Sequence, residues 1–345
     1  DGQADLAWRH QLSGRNVVWR LGGLIRVSGD FTTPSTLADP NWHVVGVADL
    51  GTSAADPTAD GRPDLLWRHA LSGRNVVWFM NGLARTTGAY TSPDQLADAN
   101  WRVVGVGDYG SPGSDAADGF GDLAWQHALS GRVVIWRMQG LARVQGLYAA
   151  PSAESDPAWR VSGTGDLTGD GRSDLLLRHT SGAHEVWLMN GTTRTSTGSL
   201  SPSPATNMLI SGVDDFNADN KNDLVMIDAS TGAGEFWMMN GLSRVGAAVP
   251  LVGAATPWKL SATADFNRDG RADLVWRNFS TQKIAMWLMN GPSKAAESRL
   301  SPEAVPDLNW RLVGSADFDG DGQADLAWRH QLSGRNVVWR LGGLI

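Results

Sequence analysis

The chain has 345 residues, enough to bury a large core, and no cysteine, which excludes a disulfide framework, thiol chemistry and a cysteine-based zinc site. Its formal charge of −7 argues against a nucleic-acid partner, because phosphate binding needs a basic face. No apolar run approaches the roughly 18 residues of a membrane-spanning helix.

Read from the first residue, the chain repeats itself. Asp-Leu pairs recur at Asp5, Asp64, Asp122, Asp174, Asp223, Asp273 and Asp325. Each pair follows a short apolar run and a loop rich in Asp and Gly. It opens a second run, as in residues 325–330, and a Ser-Gly turn leads to a third run ending in Trp. A polar stretch then leads to the next repeat. The runs are short, rich in Val, Ile and Trp, and bounded by turn residues. They read as strands, and no segment keeps a helical period. Four antiparallel strands per roughly 50 residues, repeated, predict the blades of an all-β propeller spanning 1–345. Second strands should start near residues 5, 64, 122, 174, 223, 273 and 325.

All 17 Trp fall at three places in the repeat, which favours packing. Trp42, Trp101, Trp159, Trp258 and Trp310 start first strands, and the others lie in second or third strands. Gly46, Gly105, Gly163, Gly212 and Gly314 share one first-strand place, as expected where strands crowd an axis. Residues 1–25 and 321–345 are identical. A longer array of period 320, a recent duplication or an engineered closure would each leave that identity. The strand tally favours seven blades, with a six-bladed ring and one spare hairpin as the alternative. A spare hairpin would favour self-association through the duplicated terminal segments.

The loop between first and second strands carries the chemistry. In the last repeat Asp317, Asp319, Asp321 and Asp325 fall at loop positions 1, 3, 5 and 9, and Gln323 at position 7 offers a carbonyl. Clustered carboxylates repel one another, and a hard cation such as Ca²⁺ takes six to eight oxygens, so this spacing suits one ion per loop. The same places hold Asp265, Asn267, Asp269, Arg271 and Asp273; Asp215, Asn217, Asp219, Lys221 and Asp223; and Asp166, Thr168, Asp170, Arg172 and Asp174. Two loops carry insertions: Asp49 with Thr58, Asp60 and Asp64, and Asp108 with Asp118 and Asp122. The first repeat keeps only Asp1 and Asp5.

On these residues the chain resembles the FG-GAP or VCBS-type repeat of bacterial extracellular proteins, of integrin α-subunit propellers and of a fungal seven-bladed lectin. The resemblance implies a calcium-bearing propeller at the cell surface or outside it. It does not fix a ligand.

Second strands close with Arg9 and His10, Arg68 and His69, His127, Arg178 and His179, and Arg329 and His330. One such pair per blade spreads them round a ring, too far apart to share one substrate. They read as strand ends bonded to the Ser-Gly turn or to a neighbouring blade, or as contacts for a sugar or carboxylate. No Gly-x-Ser-x-Gly elbow, His-Glu-x-x-His or phosphate loop is present. The leading expectation is a non-catalytic module binding a glycan or a surface protein. A structural subunit of a surface fibre and an accessory domain of a polysaccharide-active enzyme are the alternatives.

Overall fold

The computed structural model describes residues 5–9, 16–22, 25–26, 39, 41–51, 60–81, 84–111, 116–149, 156–251, 257–317, 322–330, 336–339 and 341. These residues build antiparallel sheets arranged radially, as the repeat predicts. The first blade runs from an inner strand Trp42–Ala48 through Asp64–His69 and Arg74–Asn81 to an outer strand Ala84–Gln95. The second runs through Trp101–Gly107, Asp122–His127, Val133–Gln139 and Ala142–Tyr148. The third holds Trp159–Gly165, Asp174–His179, His184–Asn190 and Thr193–Ser199. The fourth holds Met208–Asp214, Asp223–Asp228, Gly234–Trp237 and Val249–Leu251, and the fifth Trp258–Ala264, Asp273–Asn278, Lys283–Asn290 and Ser293–Ala304. In the sixth, Trp310–Ala316 pairs with Asp325–His330, and that strand pairs with Asn336–Trp339.

Each blade is sandwiched between two others, so its middle strands need apolar side chains on both faces. Asp64–His69 and Asp122–His127 are buried almost throughout for that reason. Second- and third-strand Trp stack within a blade: the Trp67–Trp78 and Trp125–Trp136 ring centroids are both 4.9 Å apart. Such pairs add about 0.5–1.5 kcal/mol beyond their buried area. The apolar clusters cross blade boundaries. One joins Leu66, Val77 and Phe79 to Leu123, Trp125 and Trp136; another joins Trp310, Leu326 and Trp328 to Leu65, Trp67 and Trp78.

The inner strands line the axis of the ring. Each is bulged at the shared glycine place, as between Val44 and Gly46. A Cβ on Gly46 would stand 2.5 Å from Val106, one on Gly105 2.3 Å from Thr164, and one on Gly212 2.6 Å from Thr263. No side chain fits, because each inner strand leans on the next. Among the described residues six inner strands follow one another in chain order. The sixth, Trp310–Ala316, touches the first, Trp42–Ala48, with Val47 beside Gly314. The six described inner strands thus form a closed succession, as the six-bladed alternative expects. The tally counted hairpins, and among the described residues one hairpin has no inner strand paired to it. Asp5–Arg9 pairs with Asn16–Gly22, that strand pairs with Ile25–Arg26, and Ile25 bridges Ser301 of the fifth blade.

Candidate functional site

At one end of the blades lie the Asp loops. The carboxylate at loop position 1 folds each loop around itself. Oδ1 of Asp215 accepts the N–H groups of Asn217, Ala218 and Asp219, and Oδ2 accepts that of Asn220 at 2.7 Å. Asp166 and Asp265 do the same, ending on Gly171 and Gly270. The inserted loops reach the same closure by a longer path: Gly61 donates to Asp49 and Gly119 to Asp108, which puts Asp60 and Asp118 at position 5. In the last loop Gly322 donates to Asp317 at 2.6 Å. At position 5, Asp170, Asp219 and Asp269 are exposed, and each accepts the N–H of position 7 (Arg172, Lys221 or Arg271).

Position 9 is different. Asp64, Asp122, Asp174, Asp223 and Asp273 are buried. One oxygen accepts the N–H of loop position 2 (Leu50, Tyr109, Leu167, Phe216 or Phe266) at 2.9–3.3 Å. The other accepts a third-strand N–H (Met80, Met138, Met189, Met239 or Met289) at 2.7–2.9 Å. Asp325 likewise accepts the N–H of Leu341 at 3.0 Å. These carboxylates staple each loop to the far side of its blade. Burial pushes their pKa up, to about 8 for Asp64 and about 7 for Asp122, Asp174, Asp223 and Asp273. The two N–H donors oppose that rise, while the loop carboxylates at positions 1 and 5 add to it by repulsion.

The donors are hard oxygens and their charges repel, which is the chemistry a calcium ion relieves. Among the described residues, however, no three His, Asp or Glu side chains stand as a ready cation cage. The loops are organised by backbone N–H groups around position 1, with position 9 drawn into the fold. Asp319, Asp321, Thr58 and His10 lie outside the described residues, as do the side chains of Arg9 and Arg329.

Neighbouring loops are linked. The N–H of position 8 donates to the position-1 carbonyl of the preceding blade: Gly121 to Asp49, Ser173 to Asp108, Asn222 to Asp166, Ala272 to Asp215 and Ala324 to Asp265. In the first blade position 8 is Pro63, which has no N–H. The seam between the sixth and first blades cannot carry this bond.

At the opposite end the His residues are held inside the fold. His69 Nε2 meets Asp39 at 2.7 Å, and its Nδ1 accepts the N–H of Ser72 at 2.9 Å. His127 bonds Asp98 and Ser130, His179 bonds Asp156 and Ser181, and His330 meets Asp307 at 2.5 Å. The backbone N–H of Asn41 and then His69 hold the Asp39 carboxyl below its usual range. The Arg residues reach the next blade. Arg178 donates to the Thr206 and Met208 carbonyls, and Arg68 donates to the Leu96 carbonyl and lies 4.9 Å from the Trp125 ring. Both ring nitrogens of His69, His127 and His179 are thus engaged.

Two features escaped the sequence reading. The Asp partners stand three residues before the inner-strand Trp (Asp39 before Trp42, Asp98 before Trp101, Asp156 before Trp159, Asp307 before Trp310), a regular signal that went unread. A cation seven residues after five of the third-strand Trp lies over the ring: Arg85 on Trp78, Arg143 on Trp136, Arg194 on Trp187, Arg244 on Trp237 and Lys294 on Trp287. The structure also opens a cavity of about 270 Å³ between the first blade's outer strand and the face of the second, walled by Gln95, Trp101, Trp125, Trp136, Arg143 and Tyr148.

Two stretches, residues 215–276 and 265–328, match the FG-GAP-like repeat. No curated protein matches the sequence. Regucalcin, a calcium-binding protein from Agrobacterium tumefaciens str. C58, is similar in structure at 11% identity over 87% of this chain and 92% of that one, with a TM-score of 0.53. BBS1N, solved in complex with ARL6DN, is similar at 13% identity over 100% and 90%, with a TM-score of 0.51. A luciferin-regenerating enzyme gives 10%, 88%, 94% and 0.50 in the same order. At such identities the likeness speaks for the fold alone.

Proposed function

We propose that this β-propeller, which carries FG-GAP-like repeats, is a non-catalytic, calcium-binding module that works outside the cell and recognises carbohydrate. One observation carries the reading: the same oxygen-rich loop is built at the same blade end from blade to blade, with carboxylates at positions 1 and 5 close enough to help raise the pKa of the one at position 9. Solvated turns have no use for such crowding. An ion there would sit against positions 1 and 5, relieve their repulsion and leave position 9 in its structural place. The carbohydrate part rests on the blade edges, where half-exposed Tyr90 and Tyr148 stand beside inner-strand Trp rings and Arg side chains. Repeated shallow contacts of this kind gain strength from multivalency.

No helix among the described residues is long and apolar enough to cross a membrane. The duplicated 25-residue segment supports a second reading, self-association, in which one copy completes the sixth blade of another molecule.

Calorimetry with calcium and with a chelator tests the metal. Ligation raises the melting temperature by mass action, and identical curves would reduce the loops to turns. A glycan array tests the ligand class, and a blank array in calcium would remove carbohydrate from the reading.

A further inference from the structure

We infer that the cavity between the first and second blades is a binding site for an acidic sugar, a uronic-acid residue of a polysaccharide. This rests on the carbohydrate reading and names its site and sugar class.

Three observations meet there. First, the walls are aromatic and angled. The Tyr148 and Trp101 ring centroids are 6.5 Å apart at 49°, and Tyr148 is half-exposed, so aromatic surface is left open at the cavity mouth. The C–H faces of a pyranose pack on such rings while its hydroxyls point to the rim, where Gln95 offers both donor and acceptor. At about 270 Å³ the cavity falls just below the range of drug-sized pockets, which suits one or two sugar rings.

Second, the site carries positive charge on a chain of net −7, and no acidic side chain lines it. The Arg143 guanidinium lies 4.9 Å from the Trp136 ring centroid, and that of Arg132 5.7 Å from the Tyr148 ring centroid. Neither pairs with a carboxylate among the described residues. The first blade repeats the arrangement with Arg85, Arg74 and Tyr90, but there Asp94 stands 3.6 Å from Arg74. A carboxylate ligand supplies in the second blade what Asp94 supplies in the first.

Third, Trp125 in the cavity wall is fully buried and its indole N–H has no acceptor. Trp67, Trp276 and Trp328 share that orphan N–H, so it belongs to the repeat. With that N–H closed off from solvent, Trp125 serves the cavity as an apolar wall and not as a donor to the ligand.

Glycine makes the room. A side chain at Gly146 would collide with Arg143, its Cβ 2.9 Å from Cδ. In the third blade that place is Thr197, tied to Glu185, which also takes the Trp187 indole N–H. A carboxylate built into the third blade thus occupies the place assigned here to a ligand.

The test is titration calorimetry of the whole chain, in calcium, with short oligosaccharides of galacturonic and of glucuronic acid and with their methyl esters. The acids should bind and the esters should bind about tenfold more weakly, because a charge-assisted pair is lost. Arg132→Gln, at the place where the first blade pairs Arg74 with Asp94, should erase the preference for acid over ester, and Tyr148→Ala should weaken both by about tenfold. Gln95→Ala, at the rim, gives a third reading should Tyr148→Ala lower the melting temperature. Esters binding as tightly as acids would overturn the acidic class. Acid binding indifferent to all three substitutions would overturn the site while leaving a carbohydrate module intact. If neither acid binds, the proposal fails; a glycan array positive for neutral sugars would then keep the wider reading, and a blank one would end both.

Discussion

Residues 1–25 and 321–345 share one sequence and occupy two different settings. Both form the same hairpin in the same register: Leu6 faces Trp19 as Leu326 faces Trp339. The C-terminal copy also pairs with an inner strand, Trp310 to His330 and Ala316 to Asp325, and so becomes part of the ring. Among the described residues, the N-terminal copy pairs with no inner strand. Asp5–Arg9 lies against Asn336–Trp339, and Ile25 bridges Ser301. The hairpin is therefore a local property, and membership of the ring is not. Identical sequences have identical intrinsic affinity for Trp310–Ala316. The copy joined to that strand by one short loop holds the place by effective concentration.

The largest expected effect comes from removing both copies. Chains 26–345 and 1–320 should each remain folded monomers, since either hairpin can pair with Trp310–Ala316. Chain 26–320 should unfold or aggregate, with that strand's edge bare. Light scattering and melting curves read this directly. An aggregated 1–320 chain would show that the N-terminal copy cannot take the place.

Next comes the same substitution in the two copies. Trp328 is buried against Trp339, at 5.2 Å between ring centroids. In chain 26–345 Trp328→Ala should cost about 3–5 kcal/mol, as a core truncation does. In the full chain the cost should be smaller, because the intact copy can exchange in. Trp8→Ala alone should stay within about 0.5 kcal/mol. Equal losses from Trp8→Ala and Trp328→Ala in denaturant titrations would mean that both copies sit in the ring.

The position-9 carboxyls give a pH dependence of intermediate size. Asp64 has its pKa raised to about 8, and Asp122, Asp174, Asp223 and Asp273 to about 7, from 3.8, with burial the first cause. Between those values the folded chain binds more protons than the unfolded one. The stability they contribute is thus full below about pH 4 and lost as pH rises through about 7 to 8. In chelator the melting temperature should fall from about pH 5 to about pH 8, and calcium should flatten that slope by offsetting the loop charges. A slope of opposite sign would show that the paired N–H donors outweigh burial. Asp325→Asn in chain 26–345 should lower stability by about 1–3 kcal/mol by weakening a buried acceptor, whereas Asp5→Asn in the full chain should not.

The smallest effect belongs to the half-exposed clasp at the opposite end. His330 meets Asp307 with about half of the Asp side chain in solvent, so His330→Ala should cost roughly 0–1 kcal/mol through that contact. A loss above that range would mean that the edge-to-face contact of His330 with Trp310, at 5.0 Å, carries the difference.

Much was legible before any fold was known. Turn residues and short apolar runs marked the strands, and the glycines predicted the crowded inner strands that Val106, Thr164 and Thr263 confirm. The Asp loops were found because their spacing recurs. The clasp was half read: the Ser-Gly turn was expected to bind His69, but Asp39 lies 30 residues away in sequence. The sequence left six and seven blades both open, because it counts hairpins and inner strands separately and does not say which of them meet.

The sequence by itself determined the strands, the hairpin register, the places of the Trp rings and the positions of the oxygen donors. All of these follow from side-chain alternation and turn chemistry within a few residues. Only the tertiary structure decided that the last described inner strand, Trp310–Ala316, meets the first, Trp42–Ala48, that position 9 turns inward as a staple and that Pro63 leaves a seam without its bond. It also decided that the second blade keeps an open, positively edged slot. Each of these depends on how close one blade stands to the next. That distance is set by side chains about 50 residues or more apart in sequence, whose contacts form only once the ring has closed.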